Sequence, residues 1–307
     1  MKLQSQIPLI FKINGIPTSM KKNAVFSYAY VIIAYFIAIY AGKLSLDHIQ
    51  TSSEILNMLI ADVIATVVIF LFSLMAGNSS LYDPYWSLIP VPIALYWIYM
   101  FPDGNHTRHI LMLVVISIWS LRLTLNWIRS WPNLTHEDWR YGKIAEDSGP
   151  LYWVVSFMGI HLVPTLIVFA GMLPVFVASK MTAAIGFFDI IGLIICLAAV
   201  EIEYLSDEQL RKFKASKPEK GANMEKGLWS ISRHPNYFGE ILFWFGLFFF
   251  AIGDQFKENA WTAAGFISMV ILFKFISIPM MEKRLVITKT DYDKYQKRVS
   301  AIIPLKF

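Results

Sequence analysis

The chain has 307 residues, 56% of them hydrophobic and 16% charged, and its mean hydropathy is +0.51; this balance excludes an ordinary soluble domain and implies a polytopic membrane protein. One cysteine, Cys196, excludes an intrachain disulfide and a Cys-rich metal site. The net charge of +5 is accounted for by topology and by attraction to anionic lipid or a phosphorylated ligand, so nucleic-acid binding is not expected; no metal is among the expected ligands.

In chain order, apolar runs fall near residues 24–41, 55–74, 88–101, 110–131, 151–177, 182–202, 238–252 and 260–280. Crossing about 30 Å of hydrocarbon takes about 20 helical residues. The runs therefore predict an all-α, polytopic transmembrane helix bundle of about seven or eight helices, the third and seventh runs being short. A polar arm precedes the first run, which is expected to act as a signal anchor rather than a cleaved leader.

Lys2, Lys12, Lys21 and Lys22 crowd the N-terminal arm, and Arg129, Arg140 and Lys143 the segment before residue 150. Arg211, Lys212, Lys214, Lys217, Lys220, Lys226 and Arg233 crowd the loop 203–237, and the tail is basic from Lys283 to Lys306. The alternate loops hold only Lys43, Arg108, Lys180 and Lys257. The positive-inside bias then puts both termini and the two most basic segments in the cytosol.

Several predicted helices are interrupted by polar side chains: Asp62, Arg122, Asn126, His161, Asp189, Glu201, Glu203 and Lys274. A charge at the bilayer centre costs about 2.5–3.5 kcal/mol on insertion scales, so such residues face a bundle interior or a wet cavity. For His161, Asp189 and Lys274, interhelical bonding or snorkelling is the expected role; for Arg122 and Glu203 a structural and a functional role stay open.

LYDPYWSLIPVP, residues 81–92, sets Asp83 between Tyr82 and Tyr85 at a helix entrance, with prolines at 84, 90 and 92. The aromatic residues fit an interfacial belt, and Asp83 with its tyrosines equally fits acid or hydrogen-bond chemistry. NLTHEDWRYGKIAEDSGP, residues 133–150, alternates charge at Glu137, Asp138 and Arg140, a pattern usual for a solvated salt-bridge network.

The most informative stretch is 201–240, EIEYLSDEQLRKFKASKPEKGANMEKGLWSISRHPNYFGE. Glu203, Asp207 and Arg211 recur every fourth residue on a helix extended beyond the membrane. Acids there suit ribose hydroxyls, and Arg211, Lys214, Lys217 and Lys220 suit phosphates; a solvated juxtamembrane helix fits as well. Pro235 suits a helix start, which makes Asn236 and Glu240 an inward-facing pair near an anion-favouring N-terminus. Arg233 and His234 can donate to phosphate or carboxamide oxygens.

Together, SRHPNYFGE, YDPYWSLIP, EDWRYGK and EYLSDEQLRKF resemble the family catalogued as domain of unknown function 1295. That family belongs to the superfamily of steroid 5-alpha-reductases and sterol reductases, and the resemblance spans about residues 80–307. It implies a steroid 5-alpha-reductase-like membrane domain over 80–307, forming one structural unit with the arm and first helices of 1–79. It also implies NADPH bound from the cytosolic side in the C-terminal half. The reductase pattern SDxxLRxL followed by ANFLGE is matched by Ser206, Asp207, Leu210 and Arg211, then by Asn236 and Glu240. Arg233, His234 and Tyr237 lie within the second motif, and the closing segment adds Glu282, Arg284, Tyr292 and Tyr295 as cofactor-binding candidates.

The implied chemistry is hydride delivery to the β carbon of a conjugated alkene in a lipid-like substrate, with a donor stabilising the developing enolate. The steroid reductases' Gln-Glu pair before Leu-Pro is absent, since this chain reads WSLIP; Asp83 and Tyr85, with Tyr82, take its place as catalytic candidates. Isoprenylcysteine and phospholipid methyltransferases share an RHPxYxG-like string and bind S-adenosylmethionine, often through a Glu-Glu pair where this chain has Met281-Glu282. A non-catalytic lipid-binding protein is the third reading. The expected partners are the bilayer and a lipid-like small molecule, with no obligate protein partner; the membrane is the endoplasmic reticulum if the source is eukaryotic and the inner membrane if bacterial.

Overall fold

The computed structural model describes residues 15–253 and 255–304, so the predicted basic positions Lys2, Lys12 and Lys306 lie outside the described residues. Among the described residues there is no strand, and the fold is all-α. Six helical stretches among them are long and apolar enough to cross a membrane: Ala24–His48, Glu54–Ala76, His106–Ser130, Trp139–Lys180, Pro235–Ile252 and Phe256–Thr288. The two other predicted runs are helical too. Pro90–Met100 has only 11 residues, short of what a spanning helix needs, and Phe187–Ala215 has 29 but carries Asp189, Glu201 and Glu203.

We number the principal helices α1 Ala24–His48, α2 Glu54–Ala76, α3 Pro90–Met100, α4 His106–Ser130, α5 Trp139–Ser148, α6 Val163–Lys180, α7 Phe187–Ala215, α8 Pro235–Ile252, α9 Ala264–Leu272, α10 Ile278–Thr288 and α11 Tyr292–Arg298. Their ends follow local chemistry. Asn23 and Ser53 cap α1 and α2 by accepting from Phe26 N (3.0 Å) and Leu56 N (3.3 Å), which satisfies N–H groups the helix leaves open. Pro235 occupies the first turn of α8, where its missing N–H costs nothing. α5 runs on to α6 through a π-helical turn at Ser156–Leu162, and α9 runs on to α10 through another at Phe273–Ser277.

Contacts divide the chain into two compact units, Met1–Ile93 with Leu123–Phe169, and Ala94–Arg122 with Ala170–Phe307. In the first, α1 and α2 pack on small residues: Ala34, Ala38, Gly42, Ala61 and Ala65 are buried, which lets two backbones approach without an aqueous hydrophobic drive. The opposite side of α1 exposes Val25, Ile32, Phe36 and Tyr40, as a lipid-facing surface does. Its interior is threaded with hydroxyls. Thr66 and Thr165 meet at 2.9 Å, Tyr82 OH meets Thr165 at 2.8 Å, and His161 Nε2 lies 3.2 Å from Ser73 Oγ. His161 thus has the interhelical role expected from its sequence setting.

In the second unit α7 and α8 form the main pair. A Cβ on Gly246 would lie 2.9 Å from Cys196 N, and one on Gly192 would lie 2.9 Å from Gly246 O. Only hydrogen fits at these crossings, so the two backbones lie in near contact. Arg108 and Asp189 form a buried two-pronged ion pair at 2.6 and 2.9 Å, and the same guanidinium donates to the carbonyls of Met181 and Ala183. Every charge there is paired, which is what permits its burial.

Candidate functional site

In the first unit the YDP and EDWRYGK segments meet. Asn78 Nδ2 donates to the carbonyls of Leu134 and His136, both at 2.9 Å, and Ser79 N donates to Glu137 at 2.7 Å. Asp138 N donates to Ser80 Oγ at 2.9 Å, and the Tyr141 hydroxyl donates to Asp83. The charges of this loop are thus partly buried and bonded, where sequence reasoning expected a solvated network. Burial pushes the Asp83 carboxyl up to about 6, against the Tyr141 hydrogen bond and the nearby Arg140. Burial likewise pushes Glu137 up to about 7, against the Ser79 N–H; both shifts follow from loss of water around a charge.

Tyr85 is placed differently. Its hydroxyl donates at 2.8 Å to Asp62 Oδ1, while Asp62 Oδ2 is buried and accepts no hydrogen bond. Tyr82 and Tyr85 lie with ring centroids 5.5 Å apart.

The second unit holds the cofactor candidates. Arg122, on α4, is the centre of an ion cluster: Nη1 donates to Asp207 at 2.8 Å and Nη2 to Glu203, both acids on α7. Glu240, on α8, accepts from Trp119 Nε1 at 3.2 Å and Trp244 Nε1 at 2.8 Å and lies within electrostatic reach of Arg122. Glu203 and Glu240 are 2% and 4% exposed, which makes this a desolvated group of three acids and one guanidinium. Two of its polar atoms, Glu203 Oε1 and Arg122 Nε, are buried without a hydrogen-bond partner.

The motif on α8 supplies the fit. A Cβ on Gly239 would lie 3.0 Å from Ala199 O and 3.2 Å from Glu203 N, and would also run into the Glu203 side chain. Gly239 therefore lets Glu203 reach Arg122, while its neighbour Glu240 joins from α8. Asn236 is half-buried in the first turn of α8, and no hydrogen bond from another described residue engages its side chain.

The remaining candidates sit apart from this cluster or are already bonded. Arg211 is exposed and pairs with Glu208 through bonds of 2.8 and 2.5 Å. Arg233 donates to Glu282 at 2.7 and 3.2 Å and to the carbonyls of Gln296 and Val299. His234 Nε2 lies 3.1 Å from Glu282 Oε1, and its ring stacks on Tyr237, which stacks in turn on Phe273 in the second π-helical turn. Arg284 is exposed, whereas Tyr292 and Tyr295 are buried with Val299 and Leu285 in a small core. The Tyr295 hydroxyl donates to the Trp229 carbonyl. Thus Arg233, His234, Glu282 and Tyr295 join the tail to the loop before α8. A cavity of about 650 Å³ beside Arg108 and Asp189 is lined by none of the predicted site residues.

Sequence reasoning did not find Trp119, Trp244 and Gly239 as parts of the cluster, nor the Arg122 pairing. The one signal for the pairing was a charge in an apolar run.

The family model described as "Protein of unknown function (DUF1295)" matches residues 69–299. The chain belongs to the DUF1295 family. A protein of Schizosaccharomyces pombe described as uncharacterized is 24% identical to this DUF1295 chain over 331 residues, covering 99% of the chain and 94% of the relative. No solved structure matches it significantly.

Proposed function

We propose that this DUF1295 protein is a membrane-embedded, NADPH-dependent reductase of a conjugated double bond in a lipid-like substrate, of the steroid, sterol or enoyl class. One observation carries the reading: Asp207 and Glu240, the acids of the two reductase-like motifs, share the buried Arg122 cluster, beside orphaned polar atoms that a ligand would satisfy. Such orphans are costly when left unmade. Asn236, one turn before Glu240, offers an unengaged amide, and beyond Asp207 α7 continues into Arg211, Lys212 and Lys214.

In this reading Asn236 and Glu240 hold the nicotinamide end, Asp207 a ribose, and the basic stretch from Arg211 to Lys220 the phosphates. Bound NADPH supplies a hydride to the β carbon while a proton reaches the α carbon, leaving the bond saturated. Of the two catalytic candidates in the first unit, Tyr85 donates to the buried acid Asp62 and Asp83 accepts from Tyr141. Arg233, His234 and Glu282 hold the tail against the loop and orient the start of α8 rather than meeting phosphate. The basic loop and both termini face the cytosol, where NADPH is available.

A second reading, a methyltransferase using S-adenosylmethionine, is favoured by one observation: the Arg-His-Pro segment meets an acid on a following helix, Glu282. Thermal unfolding of the detergent-purified protein with NADPH, NADP, NADH and S-adenosylmethionine in parallel separates the two. The expected result is stabilisation by NADPH and NADP; stabilisation by S-adenosylmethionine alone would reject the reductase.

A further inference from the structure

The cavity of about 650 Å³ lies at the end of the second unit away from the Arg122 cluster. Arg108, in the first turn of α4, belongs to its wall; Arg122 is about 21 Å further along the same helix at 1.5 Å per residue. Small-molecule sites occupy about 300–1,000 Å³, so its size is that of a ligand site. One side chain organises the wall. All five N–H groups of Arg108 are engaged: Nε and Nη2 donate to the two Asp189 oxygens at 2.6 and 2.9 Å, and the carbonyls of Met181, Ala183 and Ala184 accept the rest at 3.1–3.4 Å. Asp189 Oδ2 also accepts from Gly186 N at 2.8 Å. The loop after α6 is thereby wrapped around a buried, neutralised pair, and this guanidinium has no donor left for a ligand's carboxylate or phosphate.

Lys180, at the end of α6, lies over the rings of Phe101 and Phe176 at 4.6 and 4.0 Å. In sequence, the segments 101–109, 178–189 and 253–259 carry three Lys or Arg against four Asp or Glu, so they present no surplus of positive charge to draw an anion. The cavity offers apolar surface instead. Phe176, Val177, Met181 and Phe188 line it. Phe187 lines it too, is 73% exposed, and begins a stripe of exposed Ile190 and Ile194 along α7, as a lipid-facing surface does. Two exposed polar side chains, Thr182 and Gln255, complete the lining, and no other described residue hydrogen-bonds to either side chain. Apolar walls with a few hydrogen-bonding groups suit a ligand with an apolar body and one uncharged polar end.

We propose that this cavity is a lipid-binding site of its own, which takes an uncharged amphiphile from the bilayer: its apolar body rests against Phe176 and Phe188, and its hydroxyl head meets Thr182 and Gln255. The site stands apart from the Arg122 cluster and does not depend on which cofactor that cluster serves.

Photolabelling of the full-length protein in lipid nanodiscs at neutral pH tests this. The probes are a monoacylglycerol, a fatty acid and a fatty amine of the same chain, each with a diazirine at the same carbon. The expected result is saturable labelling of residues 176–188 by the monoacylglycerol, severalfold above the acid and the amine and competed by unlabelled monoacylglycerol. Val177→Trp, which fills the cavity, is expected to reduce that labelling severalfold. Thr182→Ala, on the exposed loop, is expected to raise the half-saturating concentration severalfold, and this comparison stands even where Val177→Trp fails to fold. Labelling that does not saturate, or that neither substitution changes, would overturn the site. Saturable labelling strongest with the acid or the amine would overturn the assignment of an uncharged ligand.

Discussion

Gly239 on α8 lies against Glu203 on α7 so closely that a methyl group at position 239 would collide with the glutamate side chain and crowd the α7 backbone. Gly239→Ala must therefore push the helices apart or move Glu203 off Arg122. Overpacking of this kind costs about 1–3 kcal/mol. The expected outcome is a lower melting temperature together with loss of stabilisation by nucleotide, measured by thermal unfolding with and without ligand.

Arg122 is the sole guanidinium of a cluster with three acids. Arg122→Leu leaves buried carboxylates uncompensated, a change that costs about 3–5 kcal/mol. The variant is expected to express poorly or melt well below the parent, and adding Glu203→Gln is expected to recover part of the loss. Thermal unfolding of the two variants beside the parent checks both points.

Much of this architecture was legible in the chain. Apolar run lengths gave the helices, Pro235 marked the start of α8, and Glu203, Asp207 and Arg211 at every fourth position marked the continuation of α7 to Ala215. What could not be read were pairings between distant residues. Arg122 and Glu203 are 81 positions apart, and nothing local says which acid an intramembrane arginine will find. Arg211 shares a helical face with Asp207, yet Glu208, three residues before it, takes its charge. The short-range pair wins because both side chains already stand on one exposed turn.

The junction of Asp83 and Glu137 makes stability depend on pH. Burial holds these carboxyls at about 6 and about 7 in the folded protein, above the value of about 4 they have when exposed. Folding therefore favours their protonated forms. Their contribution is fully present below the unfolded value and is lost as pH rises through about 6 to about 7. Melting temperature is expected to fall between pH 5 and pH 8, and Asp83→Asn is expected to flatten that fall.

Glu282 gathers Arg233, His234 and Gln296 and so ties the tail to the loop before α8. Glu282→Ala releases all three donors. Limited proteolysis is expected to cut the segment 283–304 several times faster in this variant. Unchanged cleavage would mean that the Tyr292–Tyr295 core holds the tail without it.

The most direct test of the central claim is an equilibrium titration of the purified protein with NADPH, alongside Asn236→Ala and Arg211→Ala. The account expects saturable binding by the parent and a loss of at least about tenfold in each variant, about 1.4 kcal/mol, with melting temperatures near the parent's. Absence of saturable binding, or affinity unchanged in both variants, would contradict it.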